Sequence, residues 1–361
     1  TGRVIGRVTH RFQSLVDGLD TLRLHCMDTH VEGAFQEGRG LEANLDKKRG
    51  ILAVTLPEAM ARGEEATVSI DYVSRPKRGL YFHRPTKEHP DTPWFLYSQG
   101  QGTDNRRWIP CYDEPDDRLM WDVHVLVPDG LDSVSNGIRV GTKPATGGNG
   151  TLHHWRFDSR SPTYLLSLIV GKLETITTEH AGVQLEYSAV PGHTEALKNS
   201  LGRTPAMLDY FGEYLQVPYP WERYAQTYVW DFIYGGMENT TATTLNMRAL
   251  HTKAIMPNYR ADGLVAHELA HMWFGDYITC RTWKHIWLNE GFATYFTDLF
   301  FEHHYGNESF LVRRRRGNRG YMRGTPKASE LKLERDPRGD IPLELFGGKQ
   351  YSRGAAILHN L

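Results

Sequence analysis

The residues best suited to chemistry are His267-Glu268-Leu269-Ala270-His271. On a helix, positions i and i+4 share a face, so both imidazoles can reach one ion. Zn2+ takes such nitrogens readily, and a hydrolytic site combines three protein ligands with a water. Glu268 points beside the ion rather than at it, where it can accept a proton from that water as general base. A third ligand is offered by Glu290 in Trp287-Leu288-Asn289-Glu290-Gly291-Phe292-Ala293, 19 positions after His271. One loop suffices to fold this second helical pattern back so that the carboxylate meets the imidazoles. Taken singly, a Glu at a helix start complements the helix dipole. With the His pair it completes a ligand set for one zinc ion per chain.

Two helices must position these groups, and the pattern predicts them over about Arg260–Phe274 and Leu288–His304. Ahead of them, Glu195–Leu215 carries apolar residues at helical spacing and stops before Pro218-Tyr219-Pro220. A strand pair, Ala225–Phe232 and Thr240–Leu245, flanks Gly235-Gly236. The region before residue 190 reads as β. Short apolar runs (Ile51–Leu56, Ala66–Tyr72, Val123–Val127, Leu165–Val170) are separated by turn signals such as Pro128-Asp129-Gly130 and Gly147-Gly148-Asn149-Gly150. Two domains are therefore expected, a β-rich one over 1–190 and a mixed one over 191–361 that carries the chemistry, and 361 residues suffice for both cores.

Composition narrows the function. Lys and Arg total 42 against 43 Asp and Glu, a balance that offers nothing to nucleic acid or to a charged membrane surface. The run Arg313–Arg316 stands alone and reads as a solvated face. The apolar stretch Tyr164–Val170 is too short to span a bilayer. Cys26, Cys111 and Cys280 are few and far apart, which excludes a disulfide framework and favours a reducing compartment such as the cytoplasm. The chain opens at Thr1 inside a strand-like pattern, so it reads as a fragment. Nothing in it sets an oligomeric state.

HELAH followed by WLNEGFATY resembles the gluzincin aminopeptidases, the group that includes aminopeptidase N and leukotriene hydrolase. The resemblance implies a saddle-like all-β N-terminal domain and a thermolysin-like α+β catalytic domain, here truncated at its C-terminus. Gly235-Gly236-Met237-Glu238-Asn239 is similar to that family's exopeptidase signature. Its glycines let backbone approach an extended peptide, and Glu238 supplies negative charge for a free α-ammonium. Ser98-Gln99-Gly100-Gln101 resembles the segment that reaches from the β-domain into the site, which implies that Gln101 helps hold the substrate amine. Tyr351-Ser352-Arg353-Gly354-Ala355 is similar to the family's Tyr-x-Lys-Gly-Ala, and by that likeness the Tyr351 hydroxyl donates to the oxyanion.

The chain departs from the pattern at Thr297, where these enzymes often carry a Glu that supports one histidine. Leu343 and Phe346 stand where leukotriene hydrolase looks acidic and tyrosine-bearing, which argues against epoxide hydrolysis. The chain ends ten residues past Tyr351, where family members continue. The expected function is zinc-dependent removal of the first residue from peptides with a free N-terminus.

Overall fold

The computed structural model describes residues 2–90, 92–255, 261–323 and 346–361. Arg260 and Leu343 lie outside the described residues.

The first part of the chain is built from antiparallel strands with alternating burial, as in Val4–Gln13, where every second residue turns inward. Two sheets come first, one of Val4–Gln13, Glu65–Ser74, Thr29–Gln36 and Arg39–Leu41, the other of Leu19–His25, Ile51–Met60 and Ala43–Asp46. Leu24, Leu52, Val54, Val68 and Ile70 from both form one core. A second sheet pair follows. Leu119–Val127, Thr151–Ser161 and Ile138–Pro144 form one member, and Asp132–Ser135, Leu168–Gly171, Phe95–Ser98 and Leu80–His83 the other. The all-β N-terminal region thus forms as expected. The apolar run Leu165–Val170 is not one strand, however. A 3-10 turn over Thr163–Leu165 follows Pro162, and the strand begins only at Leu168.

A mixed five-stranded sheet carries the rest, in the order Glu174–His180, Val183–Ala189, Arg223–Val229, Ala242–Asn246, Gly236–Met237. Its three inner strands are parallel and both edges antiparallel. The sheet runs across residue 190, because Val183–Ala189 hydrogen-bonds in register with Arg223–Val229. Helices α1 (Thr194–Leu201) and α2 (Thr204–Leu215) replace the single helix expected over Glu195–Leu215. The break has a local cause: Pro205 has no N–H to give Leu201, and its ring would clash with that carbonyl, so it opens a new helix instead.

Helices α3 (Asp262–Ala270) and α4 (Trp287–Tyr305) pack on this sheet through Leu269, Ala293 and Phe300, which share one core with Leu185, Tyr187 and Phe211. Helix α3 ends four residues before the expected Phe274, and His271 caps it. Helix α5 (Asn307–Arg323) follows, and a turn of π-helix at Lys349–Arg353 leads into α6 (Gly354–His359). Among the described residues no helix is long and apolar enough to cross a membrane. All three cysteines are free and buried.

Candidate active site

Because His267 lies on the last turn of α3 and His271 at its cap, their imidazoles still share a side, with the Nε2 atoms 3.1 Å apart. Glu290, in the first turn of α4, brings Oε2 to 3.3 Å from His267 Nε2 and 3.2 Å from His271 Nε2. A tetrahedral ion with bonds of about 2.0–2.1 Å spaces its ligand atoms about 3.3 Å apart, so this near-equilateral triangle fits one zinc. Glu290 Oε2 is buried and receives no aligned N–H from either ring, as a ligand atom aimed at an ion would be.

The ring of His271 is oriented from behind. Its Nδ1–H donates to the Phe274 carbonyl at 2.9 Å, which leaves the Nε2 lone pair for metal. Gly275 makes that turn possible: its φ is +143°, and a Cβ there would come within 3.0 Å of the same Nδ1. Neither Phe274 nor Gly275 stood out in the sequence as part of the site. Thr297 gives its hydroxyl to the Ala293 carbonyl at 2.7 Å, within its own helix, and so does not stand in for the absent Glu.

Glu268 is buried on the face of α3 turned toward the sheet edge. It rests on Gly236, where a Cβ would meet its Oε1 at 2.5 Å. Glu238, Glu268 and His271 bring ligating atoms within 4.8 Å of one another. Burial raises the Glu268 carboxyl well above its ordinary range, helped by the charges of Glu238 and Glu290. Burial likewise raises Glu238. It works in the same direction on Glu290, but there the two imidazoles outweigh it and pull the carboxyl down. So many carboxyl groups in one buried space favour a dication among them.

Gln101 reaches the same space from the β-rich region, and its Nε2 donates to Glu238 Oε1 at 2.9 Å. The preceding Gln99 sets its amide 3.1 Å from the sulfur of Met237, which is itself buried. Gly235 lies beside Leu264 of α3. Tyr351 stacks its ring on His267, with centroids 5.8 Å apart and planes 21° from parallel. Burial, followed by the charges of Glu290 and Glu238, raises its hydroxyl far above the usual phenol, so it keeps its proton and can donate. The structure therefore brings Gln101, Gly236, Glu238, Glu268 and Tyr351 together beside the triangle of His267, His271 and Glu290.

Two supports were not legible beforehand. Gly291 and Gly354 let α4 and α6 touch, since a Cβ on either would stand 2.9 Å from the other's Cα. Tyr351 is carried by the turn that this contact seats. Asn289 donates to the Tyr164 hydroxyl at 3.2 Å and accepts from the Cys280 N–H at 3.1 Å, which ties the start of α4 to the β-rich region.

Two family models match this chain, the peptidase M1 N-terminal domain over residues 2–165 and the peptidase family M1 domain over 199–361. The chain belongs to peptidase family M1. The M1 domain match carries His267, His271, Glu290, Glu238 and Tyr351, and the M1 N-terminal match carries Gln101. M1 relatives include a puromycin-sensitive aminopeptidase of Caenorhabditis elegans, 29% identical over 80% of this chain. Aminopeptidase M1 of Arabidopsis thaliana is 30% identical over 78% of it. In both comparisons the chain spans 32% of the relative's length. A crystal structure of an M1 zinc metallopeptidase from Deinococcus radiodurans, solved with a Tyr-Ser-Ala substrate, shares the fold. It superposes with a TM-score of 0.78 at 24% identity, over 99% of this chain and 78% of that one.

Proposed function

We propose that this M1 chain is the zinc-binding part of an aminopeptidase that removes the first residue from peptides with a free N-terminus. The observation that carries the reading is the placement of Glu238. Its carboxylate accepts from Gln101 and lies within 4.8 Å of both Glu268 and a ring of the ligand triangle. An α-ammonium held there leaves only a short stretch of peptide before the reacting carbonyl, which sets an exopeptidase register.

His267, His271 and Glu290 would hold one zinc ion, which when bound polarises the scissile carbonyl and makes a water acidic. Glu238 binds the substrate ammonium through a charge-assisted hydrogen bond, and Gln101 keeps that carboxylate aimed while offering its own amide oxygen. Glu268 takes the water's proton and passes it to the departing amine. The Tyr351 hydroxyl donates to the carbonyl oxygen as negative charge builds there, an interaction commonly worth about 2.7–4 kcal/mol. The Gly236–Met237 edge is antiparallel to Ala242–Asn246 and offers backbone to an extended peptide. The three buried free cysteines are in keeping with a cytoplasmic setting.

The test is hydrolysis of a free aminoacyl-arylamide beside its N-acetylated counterpart by the full-length protein, with and without chelator. Chelator-sensitive cleavage of the free amine alone is expected. Cleavage of both substrates would overturn the role given to Glu238, and no cleavage by the zinc-loaded protein would overturn the reading as a whole.

A further inference from the structure

A second group of ligating atoms meets on the β-rich region, outside the span that carries His267, His271 and Glu290. On the strand Leu119–Val127, Asp122 and His124 are two positions apart and therefore project from the same face. The register of the neighbouring strand sets His154 directly opposite His124. Asp122 Oδ1 lies 2.6 Å from His154 Nε2 and 3.0 Å from His124 Nε2. The two imidazoles stack, with centroids 4.1 Å apart and planes 16° from parallel.

We propose that Asp122, His124 and His154 form a second metal site that binds a divalent transition-metal ion. The donor set decides the class. Two imidazole nitrogens and one carboxylate oxygen suit Zn2+, Cu2+ or Ni2+, whereas Mg2+ and Ca2+ are held by oxygen. The N···O separations of 2.6 and 3.0 Å must open to about 3.3 Å, the spacing around a tetrahedral ion, the shorter of them by about 0.7 Å. The antiparallel ladder places all three side chains on one face, and the stacked rings must swing so that their Nε2 lone pairs converge on the ion.

The surroundings leave room for an ion and its waters. The side chains are 59%, 52% and 27% exposed for Asp122, His124 and His154. On the far side of His154 the register places Gly141, which adds no bulk to that face. Arg156, the cation opposite Asp122, is turned to Asp158 with its Nε 3.0 Å from Oδ2. It therefore does not compete for the Asp122 carboxylate at that distance. Without an ion, the same three residues are one ring hydrogen-bonded to an exposed carboxylate and a second ring stacked beside it, an arrangement worth little to stability.

The experiment is equilibrium dialysis of the chelator-stripped full-length protein against graded Zn2+, with bound metal counted by plasma mass spectrometry. The wild type is expected to hold one more zinc per chain than the double variant His124→Gln/His154→Gln. Asp122→Asn should weaken that extra equivalent by more than the roughly 10–100-fold typical of losing an outer-shell partner. All three positions lie on an outward face, so circular dichroism melting of the variants should match the wild type. The comparison is a difference between proteins that share an intact His267, His271 and Glu290, so it reads out independently of what that triangle binds. Equal zinc uptake by wild type and both variants would overturn the proposal and leave an ordinary surface cluster of two imidazoles and a carboxylate.

Discussion

Gly236 lies so close to Glu268 that a Cβ added to it would stand 2.5 Å from Oε1. The sheet edge and the proposed base therefore share a surface on which only a hydrogen fits. Gly236→Ala should displace the carboxylate, and a misplacement of about 1 Å can cost a factor of about 100 in rate. The expected outcome is that fall in kcat with zinc content unchanged. Activity within a few-fold of wild type would show that the close approach is of no consequence.

Glu238→Ala should remove the charge that meets the substrate ammonium. Hydrogen bonds to charged groups contribute about 1.5–3 kcal/mol, so kcat/KM for free aminoacyl substrates should fall by about 10- to 100-fold. Gln101→Ala should have a smaller effect of the same kind, because Glu238 keeps its charge. Steady-state kinetics on free and N-acetylated arylamides would separate the two, since Glu238→Ala should narrow the preference between them more than Gln101→Ala does.

Arg106 is 1% exposed, with Nε 3.2 Å from Asp113 Oδ2 and Nη2 2.8 Å from the Asp113 carbonyl. Removing one partner of a buried pair strands the other charge, at a cost of about 3–5 kcal/mol. Arg106→Met is therefore expected to destabilise the fold by that amount in urea unfolding. Adding Asp113→Asn should restore part of it, and additive losses would contradict the coupling.

His10 donates its Nε2–H to the Pro110 carbonyl at 2.9 Å, and burial lowers its pKa below the ordinary 6.5. Below pH 6.5 the unfolded chain then binds this proton more readily than the folded one, so stability is lost as pH falls toward the lowered value. Above 6.5 the contribution is fully present. Urea midpoints between about pH 5 and 7.5 should fall less steeply with acid in His10→Gln than in wild type.

The meeting of His267, His271 and Glu290 was legible because it depends on local spacing: a His pair on one helical turn and a Glu at the start of the next helix. The residues proposed for the amine and the oxyanion were suggested only by a family likeness, because Gln101 and Glu238 meet across 137 positions that no periodicity links. Gly275 and the Gly291–Gly354 contact escaped notice because a glycine's reason lies in what approaches it, which is tertiary. The misreading of Glu195–Leu215 as one helix gave weight to apolar spacing and too little to Pro205. The run Leu165–Val170 misled in another way, since burial on all sides erases the alternation that marks a strand.

The hydrogen bond between Gln101 and Glu238 also separates two properties in time and in fragility. His267, His271 and Glu290 lie within one stretch of two helices, so the metal-binding centre is a low-contact-order assembly that can form as soon as α3 and α4 dock. The proposed choice of substrate by its terminus instead depends on a long-range closure between Gln101 and Glu238. A chain in which the β-rich region has come slightly adrift would keep its proposed metal-binding centre while losing half of the proposed amine clamp. Selectivity, rather than hydrolytic capacity, is then the first casualty of mild stress.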